Sequence, residues 1–148
     1  MVVVGPHDPE KADALPQAEI DRAEADGVLF LGMRDDVDAL YRAFDLYVLA
    51  SHREGFPRSA MEAAAMRVPV FATDIRGCRE VVDHDVTGEL FAVRDPSAIA
   101  DLLVRAAADP ARLRAMATAA RSKAETEFDD RRQVEITLQA YQDVLAGV

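Results

Sequence analysis

Two carboxylates bracket the stretch Glu54-Gly55-Phe56-Pro57-Arg58-Ser59-Ala60-Met61-Glu62. Pro57 is of a type favoured at the first helical position, so the stretch predicts a loop and then a helix over Pro57–Met66. A helix start presents free backbone N–H groups and the positive end of the helix dipole, which together attract anions. Gly55, just before it, has no side chain to keep a ligand off the backbone. The run of Ala and Met around Glu62 predicts a helix buried on most faces, in which a carboxylate needs a partner. One partner is Arg58, a turn earlier, although cation before anion is the weaker orientation. The other is a ligand lying over the strand ends. Carboxylate, glycine, helix start and second carboxylate suit a phosphorylated sugar.

The elements that must hold these residues alternate. Short apolar runs at Met1–Val4, Val28–Leu31, Leu46–Leu49, Val70–Ala72 and Glu89–Phe91 predict strands, those at 28–31 and 46–49 buried. Between the first two, the Ala-rich segment Asp8–Asp26 predicts one or two helical pieces interrupted by Pro16. This order predicts an α/β fold with a Rossmann-like parallel sheet and helices on both faces. Ligands in such sheets bind beyond the carboxyl ends of the strands, where the loop Ala50–Phe56 places Glu54. His52 and Arg53 on that loop are either phosphate contacts or a solvated tip. Asp36-Val37-Asp38 spells a D-x-D metal motif, but Asp before the apolar positions Val37, Leu40, Tyr41 and Phe44 reads better as a helix cap. Cys78 packs as a small apolar residue, and His7 and His84 belong to turns. C-terminal helices fill about 96–146; their basic run Arg112, Arg114, Arg121, Lys123 reads as a solvated face.

With 148 residues, the chain predicts one domain, 1–148, with a strand starting at residue 1 and a single core. Half the residues are hydrophobic and 30% charged, as in a soluble globular domain. A net charge of −10 argues against nucleic acid and anionic membrane partners. Cys78 is the only cysteine, so no internal disulfide forms. With no apolar run of membrane-spanning length and no signal peptide, the location expected is cytoplasmic.

The setting S-x-x-E-G-F-P-x-S-x-x-E-A-x-A, followed by P-V-x-A-T-D, G-C-R-E-V-V and V-T-G, resembles the C-terminal, nucleotide-sugar-binding half of the retaining glycosyltransferases of family 4, which have the GT-B fold. The resemblance covers essentially the whole chain. It implies that Glu62 binds the ribose hydroxyls and that Glu54, as the catalytic carboxylate, contacts and orients the donor sugar. Gly55, Phe56, Pro57, Arg58 and Ser59 would line the diphosphate. The nucleobase would be cradled by Gly32-Met33-Arg34, otherwise an ordinary strand-to-helix turn. Arg76, Gly77 and Arg79 would face the donor sugar and phosphate, the alternative being a structural turn with solvent-facing arginines. The donor implied is a UDP- or GDP-linked sugar, transferred with retained configuration and without a metal or other cofactor.

The resemblance also implies an N-terminal acceptor domain and a basic phosphate-gripping pair, both expected upstream of residue 1. It leaves room for membrane association of the full-length enzyme, and it implies that this chain alone binds donor weakly and does not turn over. Two other readings remain: a non-catalytic module that complements a separate acceptor domain, and a nucleotide-sugar epimerase fragment. One departure is local. Arg67 stands where the family usually has glycine, which predicts an arginine held in the left-handed conformation.

Overall fold

The computed structural model describes residues 1–11 and 14–147. They form two compact units, 1–40 and 41–148. The expected helical segment Asp8–Asp26 includes Ala12 and Asp13, which lie outside the described residues.

In the first unit, β1 (Val2–Val3) and β2 (Leu29–Phe30) pair in parallel, Val2 opposite Leu29 and Val3 opposite Phe30. The connection contains one helix, α1 (Gln17–Ala25), which starts directly after Pro16. Pro16 therefore opens this helix, as its missing N–H and fixed φ allow. Ile20 is the buried anchor of α1. The strand read as buried at 28–31 is largely open: Leu29 is 58% exposed and Leu31 37%. An apolar run sets the strand, but burial needs a covering layer that the run does not specify. After β2, Gly32 takes φ +62 and its carbonyl accepts the Gly5 N–H at 2.9 Å. The helix α2 (Val37–Ala43) follows Asp36 and carries the chain into the second unit.

The second unit is built on the parallel sheet β3 (Tyr47–Leu49), β4 (Val70–Thr73) and β5 (Gly88–Phe91), in that spatial order. The register sets Leu49 opposite Ala72 and Thr73 opposite Phe91, so the carboxyl ends of the three strands lie along one edge. Every residue of β4 is buried, as befits a central strand covered on both faces. The helices α3 (Arg58–Ala65) and α4 (Arg76–Val81) connect the strands. Phe71 and Phe91 of the sheet pack with Leu102 and Ala106 of α5 (Pro96–Ala108) and Met116 of α6 (Pro110–Glu127). The side chains of Asp95 and Asp109 cap these two helices, accepting from the N–H groups of Ala98 and Arg112, each with proline in the first turn. Against α3, α6 presents Ala120 and Ala124 to Ala64, small residues that let two helices approach closely. The last helix, α7 (Asp130–Ala146), buries none of its residues.

The basic run on α6 is only in part a solvated face. Lys123 has a side chain only 9% exposed and donates to Asp83 at 2.7 Å. Arg112 holds Glu89 at 2.5 Å and Asp85 at 2.6 Å, and Arg121 donates to the Ala65 carbonyl. Of the four, Arg114 is fully on the exposed side. Their partners lie 23, 40 and 56 residues away in the chain, beyond what helical periodicity can report. Arg67 has φ +62, the left-handed conformation expected after α3.

Candidate functional site

The site is built where β3 ends. From Leu49 the chain enters the loop 50–56 and turns into α3. Two contacts fix that loop. The Thr73 hydroxyl, at the end of β4, donates to the Ser51 carbonyl at 2.5 Å. Gly77, in the first turn of α4, packs directly beneath Glu54 and Gly55. A Cβ added there would stand 2.6 Å from the Gly55 carbonyl oxygen and closer still to that of Glu54, so only glycine fits. Phe56 is exposed at the loop's end, but its ring meets Phe128 edge to face at 5.8 Å. Pro57 is buried and caps α3, its carbonyl accepting from Ala60 and Met61 at 3.1 and 3.2 Å. No side chain caps this end. The Arg58 and Ser59 amides in the first turn therefore point outward without a capping acceptor.

Glu62 departs from expectation. The buried face of α3 is Ala60, Ala63 and Ala64, while Glu62 is exposed. Alanine is equally at home on either face, so an Ala-rich helix conceals which side is inward. The Arg58 pair does not form among the described residues: Arg58 is exposed and no ion pair joins it to Glu62. What lies beside Glu62 is a pair of phenols. Tyr41, almost fully buried, donates to the Ser59 carbonyl at 2.9 Å, and Tyr47 donates to Ser59 Oγ at 2.9 Å. The two rings meet edge to face at 5.9 Å. Burial pushes the Tyr47 hydroxyl above the ordinary phenol range, and the charges of both Glu54 and Glu62 push it the same way. Tyr41 is raised as well, first by burial, then by Tyr47 and by the Glu62 carboxylate. The uncapped helix start lies between the two carboxylates in the chain.

The other residues singled out from the sequence are placed as follows. Arg76 is exposed at the first position of α4, and Arg79 forms an ion pair with Asp74 at 2.6 Å. Gly32, Met33 and Arg34 belong to the first unit. There Met33 is exposed, and Arg34 grips Asp36 with two bonds of 2.8 and 2.6 Å. Asp36 precedes α2 as a cap would, but its carboxylate is spent on that fork. In the sequence Tyr41 and Tyr47 count only as apolar positions, and Thr73 carries no mark of its contact. Their hydroxyls were the available signal, since a buried hydroxyl must find a partner.

Residues 1–109 match the family described as glycosyl transferases group 1. The chain belongs to that family. It is 36% identical over 120 residues to the N-acetyl-alpha-D-glucosaminyl L-malate synthase of Bacillus anthracis, covering 81% of this chain and 32% of that enzyme. It is 34% identical over 112 residues to the D-inositol 3-phosphate glycosyltransferase of Saccharomonospora viridis, covering 76% and 26%. Among solved structures, the sucrose-phosphate synthase of Thermosynechococcus elongatus superposes with a TM-score of 0.83 at 29% identity, over 99% of this chain and 39% of that one. Anabaena HepE, solved with UDP-glucose, gives 0.83 at 28% identity, over 94% and 40%.

This group 1 glycosyltransferase chain therefore has the α/β architecture of the C-terminal half of a GT-B enzyme and spans a quarter to a third of the curated relatives named above. The match gives no support to the epimerase alternative. No helix among the described residues is long and apolar enough to cross a membrane. Away from the site, His84, Asp85 and Glu89 bring three possible metal-ligating atoms within 4.8 Å of one another. Glu89 and Asp85 already hold the Arg112 guanidinium there, and the Leu90 N–H donates to His84 Nδ1 at 3.0 Å. That cluster reads as structural: it ties β5 to α6.

Proposed function

We propose that residues 1–148 act as one donor-binding domain of a retaining glycosyltransferase that moves a hexose or N-acetylhexosamine from a nucleoside diphosphate in polysaccharide or glycoconjugate synthesis. The observation that carries this reading is the uncapped start of α3 next to the Glu54 loop, at the carboxyl edge of the sheet. Glu62 takes the ribose hydroxyls, and Glu54 contacts the donor sugar and orients it. The amides around Gly55 and at the start of α3 receive the diphosphate. As the bond from the sugar's anomeric carbon to the diphosphate breaks, the acceptor hydroxyl bonds to that carbon on the same face and gives its proton to the departing diphosphate, on which charge has grown. Fixed N–H donors stabilise that charge without reorganising, and need no metal to do so. Gly32, Met33 and Arg34 border the nucleobase; Arg76 supplies positive charge beside the phosphate or sugar, and Gly77 seats the loop.

Support comes from HepE, solved with UDP and with UDP-glucose. Since the chain spans only part of its relatives, the acceptor side comes from a further domain, on the same chain or encoded separately, and the chain alone binds donor without turnover. The buried free thiol of Cys78 suits a reducing, cytoplasmic compartment. Calorimetric titration with UDP, GDP and ADP sugars tests the proposal. Binding to one of them is expected, weakened about tenfold or more by Glu62→Gln through loss of charged hydrogen bonds. No binding to any of the three at millimolar concentration would overturn it.

A further inference from the structure

We infer that Phe128, at the junction of α6 and α7, is a positioning residue for the loop that carries Glu54. The inference rests on the donor-site reading above and adds to it a residue from the C-terminal helices. The side chain of Glu54 forms no hydrogen bond or ion pair among the described residues, so its place is set by the backbone on which it stands. Upstream, that backbone is held by the Thr73 hydroxyl on the Ser51 carbonyl; beneath, by the close approach of Gly77 to Glu54 and Gly55. Gly55 itself has open space where a side chain would stand, so it leaves a compliant joint between Glu54 and Phe56. On the far side of that joint the Phe56 ring, about half exposed, rests edge to face on the Phe128 ring at 5.8 Å. A ring pair of this kind prefers a particular separation and tilt, which an aliphatic contact does not impose.

Phe128 serves as an anchor because it is itself tied on both sides. Its N–H donates to the Ala124 carbonyl at 3.1 Å, and its side chain packs on the cluster of Ala64, Ala120 and Ala124 between α3 and α6. The next residue, Asp129, caps α7 by accepting from the Arg131 N–H at 2.9 Å. From the first turn of α7, Arg132 and Gln133 reach back to the carbonyls of Thr126 and Glu127 at 2.6 and 3.3 Å. The junction therefore holds the Phe128 ring as a wall for Phe56. A loop already braced in this way loses less freedom on taking up a ligand than one turning freely in water.

The test uses the 148-residue chain and whichever of UDP and GDP it binds more tightly. Phe128→Ala removes the wall and is expected to weaken that nucleotide about three- to tenfold, while Phe128→Tyr, which keeps the ring, stays within about twofold of the unaltered chain. Phe56→Ala combined with Phe128→Ala is expected to bind no more weakly than Phe56→Ala alone, since the two remove one contact. The chain has no tryptophan, so Phe128→Trp places a single emitter at the junction. Its emission is expected to change when nucleotide stills the loop, and to stop responding in a Phe56→Ala background. Where Phe128→Ala fails to fold, Phe128→Leu and Phe128→Trp keep the junction apolar and carry the test, the leucine variant weakening binding by about two- to threefold. Full additivity of the two alanine variants, or an emission that ignores nucleotide or responds equally without the Phe56 ring, would overturn the role given to Phe128. If neither UDP nor GDP binds the unaltered chain, or Glu62→Gln changes nothing, the donor-site reading fails and this inference with it. Should both behave as expected while the Phe128 variants match the unaltered chain, the inference alone is lost.

Discussion

Arg67 and Gly77 show at the residue scale how the backbone, not the side chain, decides what a position tolerates. Arg67 adopts φ +62 after α3, a conformation costing a side-chain-bearing residue about 1–2 kcal/mol. Glycine removes that strain but adds about 0.5–1 kcal/mol of unfolded-chain freedom. Arg67→Gly is therefore expected to stabilise by roughly 0.5–1 kcal/mol, raising the melting temperature by about 1–3 °C. A lowered melting temperature in a calorimetric scan would contradict this. Gly77→Ala goes the other way. Its methyl would push into the Glu54 and Gly55 carbonyls, backbone groups that cannot turn aside. A cost of about 1–3 kcal/mol and a loss of nucleotide affinity of at least tenfold are expected, both read by calorimetry. The motif made Gly77 a ligand contact by resemblance; its packing against the loop was not legible, because the sequence does not say which backbones meet. The left-handed Arg67, by contrast, was readable from its place just after a helix.

Among the elements, the alternation of strands and helices was legible because each short apolar run is bounded by turn residues. The faces were not. Alanine hid the inward side of α3, and Arg112 and Lys123 of α6 found acids from distant segments. The most buried of these acids is Glu89, 2% exposed and held by Arg112. Glu89→Gln leaves Arg112 with Asp85 as its only charged partner here and is expected to destabilise by about 1–3 kcal/mol, a range tempered by the partial exposure of Arg112. Urea unfolding with an unchanged m-value would report it as loss of stability alone. The end of β4 is joined to α4 by Asp74 and Arg79. The hydrogen bond from Arg79 holds the Asp74 carboxyl below the usual carboxylate range. A depressed folded-state value means the stabilisation is complete above about pH 4–5 and lost as pH falls through that value. Asp74→Asn is expected to flatten the acid limb of a stability–pH curve below pH 4 while leaving its neutral plateau shallowly lowered, both partners being largely solvated.

At the scale of the whole molecule, α7 is a helix without a core of its own. Along α7, Val134, Leu138, Tyr141 and Leu145 recur at three- and four-residue spacing and form one apolar stripe, each of them 55–86% exposed. A stripe of that kind on a helix that buries nothing marks a surface that gains from being covered. The cited relatives are about two and a half to three times as long as the part this chain matches. In the chain by itself, the cover available is a second copy. Size-exclusion chromatography is therefore expected to show apparent mass rising with concentration, and Leu138→Glu with Leu145→Glu to abolish that rise. The stripe lies on α7, apart from Glu54, Glu62 and α3, so the double variant should bind nucleotide with unchanged affinity. A monomer at every concentration would show that α7 is tolerated bare in water, and a double variant that lost nucleotide binding would show that the helix supports the site after all.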